Sequence, residues 1–225
     1  MIRAALIDMD GTLYDSMPFH TLAWERVARE IGMPIPRNEF YLYEGMTGES
    51  IINMLAQREL GKRFTKEEAH ELYLLKAQYF REYGEPKLIE GAKETVDFLL
   101  EAGVKCVLVT GSGQHSLLDR LESDFPGAFP ESLRITSKNV THCKPHPEPF
   151  LKGAEIARVA PENCIGIDNA PLGVESSSQS GAYTIGVQTG PIPAHKFIEA
   201  GADAVLPSMK ACHEYLKKSL KWIRK

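Results

Sequence analysis

The chain has 225 residues, 43% hydrophobic and 25% charged, the composition of an ordinary globular protein long enough for one large domain or a core with a smaller insertion. Its net charge of −4 argues against general nucleic-acid binding, and no apolar stretch reaches the ~20 residues of a membrane span. Four cysteines (Cys106, Cys143, Cys164, Cys212) form no C-x-x-C pair and acids arrive at position 8 before any long apolar run, so free thiols, no signal peptide and a cytoplasmic location are expected.

In chain order, an apolar run predicts a first strand over Arg3–Asp8. The stretch from about Ser16 to Tyr83 carries no convincing strand; helical patterns cover Phe19–Ile31, Gly48–Leu60 and Lys66–Tyr83, with breaks at Pro34, Pro36 and Gly84-Glu85-Pro86. Strands and helices then alternate. Strands are predicted at Lys105–Thr110, Leu133–Thr136, Cys164–Asp168, Tyr183–Val187 and Ala204–Leu206. Helices are predicted at Ala92–Ala102, Gln114–Ser123, Pro147–Val159, Leu172–Ser180 and Ala194–Glu199. The basic tail Y-L-K-K-S-L-K-W-I-R-K reads as a terminal helix docking Tyr215, Leu216, Leu220 and Ile223 on the sheet. This order predicts an α/β fold: a doubly wound, mostly parallel, Rossmann-like sheet (residues 1–15 and 86–225) with a helical cap (16–85) inserted after the first strand.

Ligands of such sheets bind beyond the carboxyl ends of the strands. The first strand ends in D-M-D-G-T, with Asp8 and Asp10 two residues apart on one side of the chain. At ~5 Å two such charges repel by roughly 1 kcal/mol in water, and by more in a drier site. An EF-hand does not explain them, because Leu13 and Phe19 stand where that loop needs Gly and Glu. A nucleophilic carboxylate beside an acid/base, with a cation relieving the repulsion, does. V-T-G-S-G after the second strand offers a phosphate cradle of backbone N–H groups and the Thr110 hydroxyl. In H-C-K-P-H-P-E-P-F, the prolines put Lys144 on a stiff mount and Glu148 complements a helix dipole. His142, Cys143 and His146 are soft-metal donors, but no fourth ligand is close in sequence and the prolines constrain the geometry. Asp168 and Asn169 end the fourth strand as a helix cap, as Mg2+ ligands, or as both.

D-M-D-G-T, V-T-G-S, K-P-x-P-E-P-F and I-D-N, in this order and spacing, resemble the haloacid dehalogenase (HAD) superfamily over nearly the whole chain, and the helical insertion resembles the cap of its β-phosphoglucomutase-like group. The resemblance implies that Asp8 is a nucleophile forming an aspartyl-phosphate, Asp10 the general acid/base, Thr110 a phosphoryl-orienting hydroxyl with Ser112 beside it, and Lys144 a neutraliser of charge. It also implies Mg2+ on Asp8, the Asp10 carbonyl and Asp168, with Asn169 standing where the mutases more commonly have a second acid.

The cap bears on the substrate. His20 resembles a mutase cap-helix histidine able to gate Asp10, while Trp24 reads as core. The loop Gly45-Met46-Thr47-Gly48 lacks the arginine with which the mutases grip a second phosphate. Glu44 beside it, with the following helix, resembles the capped inorganic pyrophosphatases, and Thr47 and Lys76 are further contact candidates, although a solvated lysine is the favoured reading of Lys76. The expected function is a Mg2+-dependent phosphohydrolase of pyrophosphate or another small phosphorylated substrate, as a monomer or weak dimer with no nucleic-acid or membrane partner. The alternatives are a β-phosphoglucomutase-type phosphotransferase and, from another class, a phospho-aspartate signalling receiver.

Overall fold

A computed structural model describes residues 1–111 and 115–221, except for the side chains of 115 and 116. Six parallel strands form one sheet: β1 (Ala4–Ile7), β2 (Lys105–Val109), β3 (Arg134–Ile135), β4 (Cys164–Asp168), β5 (Tyr183–Val187) and β6 (Ala204–Leu206). Their order is β3-β2-β1-β4-β5-β6, so the chain reverses its direction of winding between β1 and β4. The pairing of Ile7 with Ile167 and with Leu108 brings the ends of β1, β4 and β2 level.

β1 is buried along its whole length, as expected of a parallel strand covered on both faces. Its alternation divides the core. Ala5 and Ile7 join one cluster with Cys106, Leu108, Ile165 and Ile167; Ala4 and Leu6 join the opposite one with Val107, Val109 and Phe150. Residues of helices α4 (Ala92–Glu101), α5 (His115–Asp124) and α9 (Met209–Ser219) cover the first face, and those of α6 (Glu148–Ala157) the second. Helices α7 (Pro171–Ser180) and α8 (Ala194–Glu199) pack near β4 to β6. Tyr215 and Leu220 pack against the first face and Leu216 is buried there; Ile223 lies outside the described residues.

Between β1 and α4 stand the helices α1 (Met17–Glu30), α2 (Gly48–Leu60) and α3 (Lys66–Glu82) and a 3-10 helix, Arg37–Tyr43, that periodicity did not predict. A seven-residue 3-10 turn eclipses side chains three apart and leaves no amphipathic stripe to read. These helices have their own core of Trp24, Phe40, Ile51, Ile52, Leu55 and Ala69, in which the Trp24 and Phe40 rings stack at 6.2 Å. Tyr79 and Phe80 of α3 belong instead to the sheet's main cluster, tying the helical layer to the sheet. Among the described residues, no helix is long and apolar enough to cross a membrane.

Candidate active site

At the winding reversal, the ends of β1 and β4 present Asp8 and Asp168 side by side. The Asp8 N–H donates to the Ile167 carbonyl at 3.0 Å, which fixes one strand end on the other. Lys144, 3% exposed, arrives from the loop before α6 and donates to Asp8 Oδ1 at 2.5 Å and Asp168 Oδ2 at 2.7 Å. Asp168 Oδ1 accepts the Ala170 N–H at 3.0 Å, so this side chain both caps the turn into α7 and holds the lysine. A Cβ on Gly173 would lie 2.0 Å from the Asp168 carboxylate, so only glycine lets α7 approach this closely.

Burial works against the Lys144 ammonium, but Asp168 and Asp8 outweigh it and raise its pKa. Burial pushes Asp8 up from 3.8 to about 8; Lys144 opposes this, and the charges of Asp168 and Asp10 add to it. Asp8 Oδ2 is buried and has no hydrogen-bond partner among the described residues. An unsatisfied buried carboxylate oxygen is costly unless a cation or another donor reaches it.

Asp10 faces the helical layer. Its Oδ1 accepts from Ser16 Oγ at 2.7 Å and meets His20 Nε2 at 2.9 Å; Lys76 Nζ in turn hydrogen-bonds His20 Nδ1. The ammonium has no lone pair, so this line assigns His20 the tautomer with its proton on Nε2. Burial alone would raise the Asp10 pKa, but His20, Ser16 and Lys76 overcome it and hold it below the carboxylate range. Burial lowers His20, aided by Lys76, and lowers Lys76 to about 7. Lys76 is therefore not the solvated lysine that the sequence favours: it is 3% exposed, over the rings of Trp24 and Phe80. The 3.6-residue period places it on the same stripe as Leu72, Tyr79 and Phe80, a signal that its charge obscured.

The loop after the 3-10 helix closes over these groups. Glu44 Oε2 accepts from Asn169 Nδ2 at 2.9 Å, and Glu44 Oε1 is a second buried oxygen without a partner among the described residues. Burial and then Asp8, Asp168 and Asp10 raise the Glu44 pKa well above normal. Asn169 uses its carbonyl oxygen on Thr12 Oγ1 at 3.0 Å, so it spans sheet and cap loop. Gly45, at φ 98°, lies where a Cβ would be 2.9 Å from the Lys144 side chain, and its carbonyl lies 3.0 Å from where a Gly111 Cβ would be. Gly45→Ala is expected to cost ~1–3 kcal/mol of backbone strain in the closed arrangement. It should lower kcat/KM by roughly tenfold or more and Tm by roughly 2–12 °C, which steady-state kinetics beside a melt will read.

Sequence reasoning missed Ser16, Thr12 and Gly45, although E-G-M-T-G carried the turn signal for the last. Thr47 is a correction. Its hydroxyl caps α2, accepting from Ser50 N at 3.2 Å and donating to Ser50 Oγ at 2.7 Å, and it faces grooves outside the central cavity. Ser112 lies outside the described residues. Asp8, Asp10, His20, Glu44, Lys76 and Thr110 line one cavity of about 80 Å³, with Trp24, Phe40, Tyr43 and Tyr73 as its aromatic wall.

Residues 2–181 match the model of the haloacid dehalogenase-like hydrolase family. The chain belongs to this family. A hexitol phosphatase A of Escherichia coli is 26% identical over 188 residues, 82% of either chain, and a β-phosphoglucomutase of Bacillus subtilis is 25% identical over 197 residues, 84% of either chain. Among solved structures, one described as a putative β-phosphoglucomutase from Bacteroides vulgatus is 35% identical, with a TM-score of 0.93 over 98% of this chain and 89% of that one. Membership in the haloacid dehalogenase-like family, with a fold of this group, replaces the receiver alternative.

Proposed function

We propose that the protein is a Mg2+-dependent phosphohydrolase acting through an aspartyl-phosphate on a small phosphorylated carbohydrate. The observation that carries this reading is Asp8 Oδ2, buried and without a partner among the described residues while Lys144 grips the other oxygen of the same carboxylate. Oδ2 attacks phosphorus and the bond to the leaving oxygen breaks; water then attacks the aspartyl-phosphate and restores Asp8. Asp10 passes a proton to the leaving group and later takes one from water. Thr110, on the cavity wall, orients the phosphoryl group, and Lys144 balances its charge. Residues 16–85 act as a cap that excludes water from the reaction, over a core of 1–15 and 86–225.

The donor set fits a hard cation: Asp8 and Glu44 each keep a buried oxygen with no partner among the described residues, and the nearby charges of Asp168 and Asp10 raise the pKa of both. Asp8, the Asp10 carbonyl and Asp168 would hold Mg2+, whose charge would neutralise the phosphoryl oxygens; the amide of Asn169 supports Glu44 instead. The proton line behind Asp10 has a consequence. Lys76 protonated at Nζ is the donor state of Lys76–His20–Asp10, so with Lys76 near 7 the rate should fall as pH rises above neutrality. Lys76→Met should lower kcat and remove that alkaline limb, and an unchanged pH–rate profile would rule the relay out.

The names of the relatives support a sugar or sugar-alcohol phosphate. Pyrophosphate has a different support: an 80 Å³ cavity, far below the ~300–1,000 Å³ of most small-molecule sites, and the carboxylate of Glu44 beside a loop, Gly45 to Gly48, that has no arginine. Phosphate release from hexose phosphates, hexitol phosphates, nucleotides and pyrophosphate, with and without Mg2+, decides between them. Faster turnover of pyrophosphate, together with its loss in Glu44→Ala, would overturn the carbohydrate reading. Formation of glucose 6-phosphate from β-glucose 1-phosphate would favour the mutase.

A further inference from the structure

We propose that His142, His146 and Glu148 form a second metal site, for a transition ion of the Zn2+ type, on the outer side of the loop that carries Lys144. One ligand atom from each of the three falls within 4.8 Å of the others, the one such group of histidines, cysteines and acids among the described residues. His142 Nδ1 is 3.1 Å from Glu148 Oε2, the separation of two ligands that share an ion at about 2.0–2.2 Å from each. The imidazole rings of His142 and His146 lie 4.6 Å apart and are tilted by 32°, which puts the two donors side by side. Two imidazoles and a carboxylate, with a fourth position left to water, suit Zn2+ and not the hard ion expected at the buried carboxylates.

The Glu148 side chain and the loop that carries the histidines are held in place from several directions. Glu148 accepts the N–H groups of Thr141 at 2.9 Å and His142 at 2.8 Å, which closes the loop back on the start of α6. Ser176 Oγ donates to the His146 carbonyl at 2.6 Å, and Lys144 anchors the middle of the loop at Asp8 and Asp168. The protonation states also suit. His146 Nδ1 already presents a lone pair, on which the Glu148 N–H rests at 3.1 Å; that first-turn donor can turn to water when an ion takes the lone pair. His142 Nδ1 donates to Glu148 Oε2, so the ion takes its place there and the proton moves to Nε2 of a side chain that is 63% exposed. An open groove of about 570 Å³ gives a hydrated ion access. One group opposes binding: Lys152 Nζ sits 2.9 Å from Glu148 Oε1, so its ammonium competes with the ion for the carboxylate.

The test is calorimetric titration of the full-length protein with Zn2+. One ion should bind per chain, equally in the parent and in Asp8→Asn, whose amide oxygen still accepts from Lys144 and keeps the loop anchored. His142→Ala and His146→Ala should each weaken it tenfold or more, while Lys152→Met should tighten it. Unchanged binding in the double variant His142→Ala/His146→Ala, loss of binding in Asp8→Asn, or no stoichiometric binding by the parent would each overturn the proposal. If the histidine variants fail to fold, the ring resonances of His142 and His146 in the parent decide: a shift on adding one equivalent of Zn2+ supports the site, and unmoved rings overturn it.

Discussion

Asp8→Asn is expected to abolish phosphate release, by on the order of 10⁴-fold or more, because it removes the attacking oxygen and no neighbouring group replaces a covalent nucleophile. The same change should not destabilise the protein. The Asp8 carboxylate is buried beside Asp10 and Asp168, and its pKa rises from 3.8 to about 8. The sign follows directly. Between those two values the unfolded chain has released a proton that the folded chain keeps, so folding stability falls as pH rises. The amide carries no charge and lacks this penalty, while its oxygen still accepts from Lys144. In metal-free buffer the parent should therefore lose Tm relative to Asp8→Asn between pH 4 and pH 8. Added Mg2+ should reverse that loss in the parent alone. A variant that still turns over substrate, or parent and variant melting curves that stay parallel with pH, would count against the role given to Asp8.

Lys144→Met should be the most destabilising single change at the site. It leaves Asp8 and Asp168, 4% and 1% exposed, without their shared ammonium. Breaking a buried pair from one side costs about 3–5 kcal/mol, since the remaining charge is buried uncompensated. In a chain of this size that corresponds to a fall in Tm of roughly 6–20 °C. Two carboxylates depend on this lysine, which places the expectation toward the upper end. Activity should fall by ~10²–10³ as well, from loss of charge stabilisation at the phosphoryl group. A melt within 2 °C of the parent at neutral pH would mean that Asp8 and Asp168 do not need the ammonium.

The strands were legible because a parallel sheet covered on both faces writes each one as a short apolar run closed by a turn signal. The two-residue β3 is the exception: Leu133 and Thr136 fall outside it because the chain turns through 3-10 geometry on either side of Arg134–Ile135. Asp8, Asp10, Lys144 and Asp168 stood out for a related reason. Each follows an apolar run at a strand end or stands immediately before a proline, where a charge has no packing role to explain it. The cap residues were less legible. The period of L-Y-L-L-K-A-Q-Y-F puts Lys76 on the buried stripe, but nothing in it names the partner, a histidine 56 residues earlier. Glu148 was read for its helix dipole alone, because its other partners lie on a loop whose path local pattern does not encode.

The sequence by itself determined the winding of the sheet, the place of the helical insertion and the four groups at the strand ends, because local periodicity and turn chemistry act over a few residues and leave a readable trace. Only the tertiary structure decided which of those groups touch. Lys144 lies between Asp8 and Asp168 across sequence separations of 136 and 24 residues, and Asn169 reaches Glu44 across 125. Such contacts follow from strand order and from the docking of one helical layer on another. That docking depends on the fit of side chains far apart in the chain, and composition does not record it.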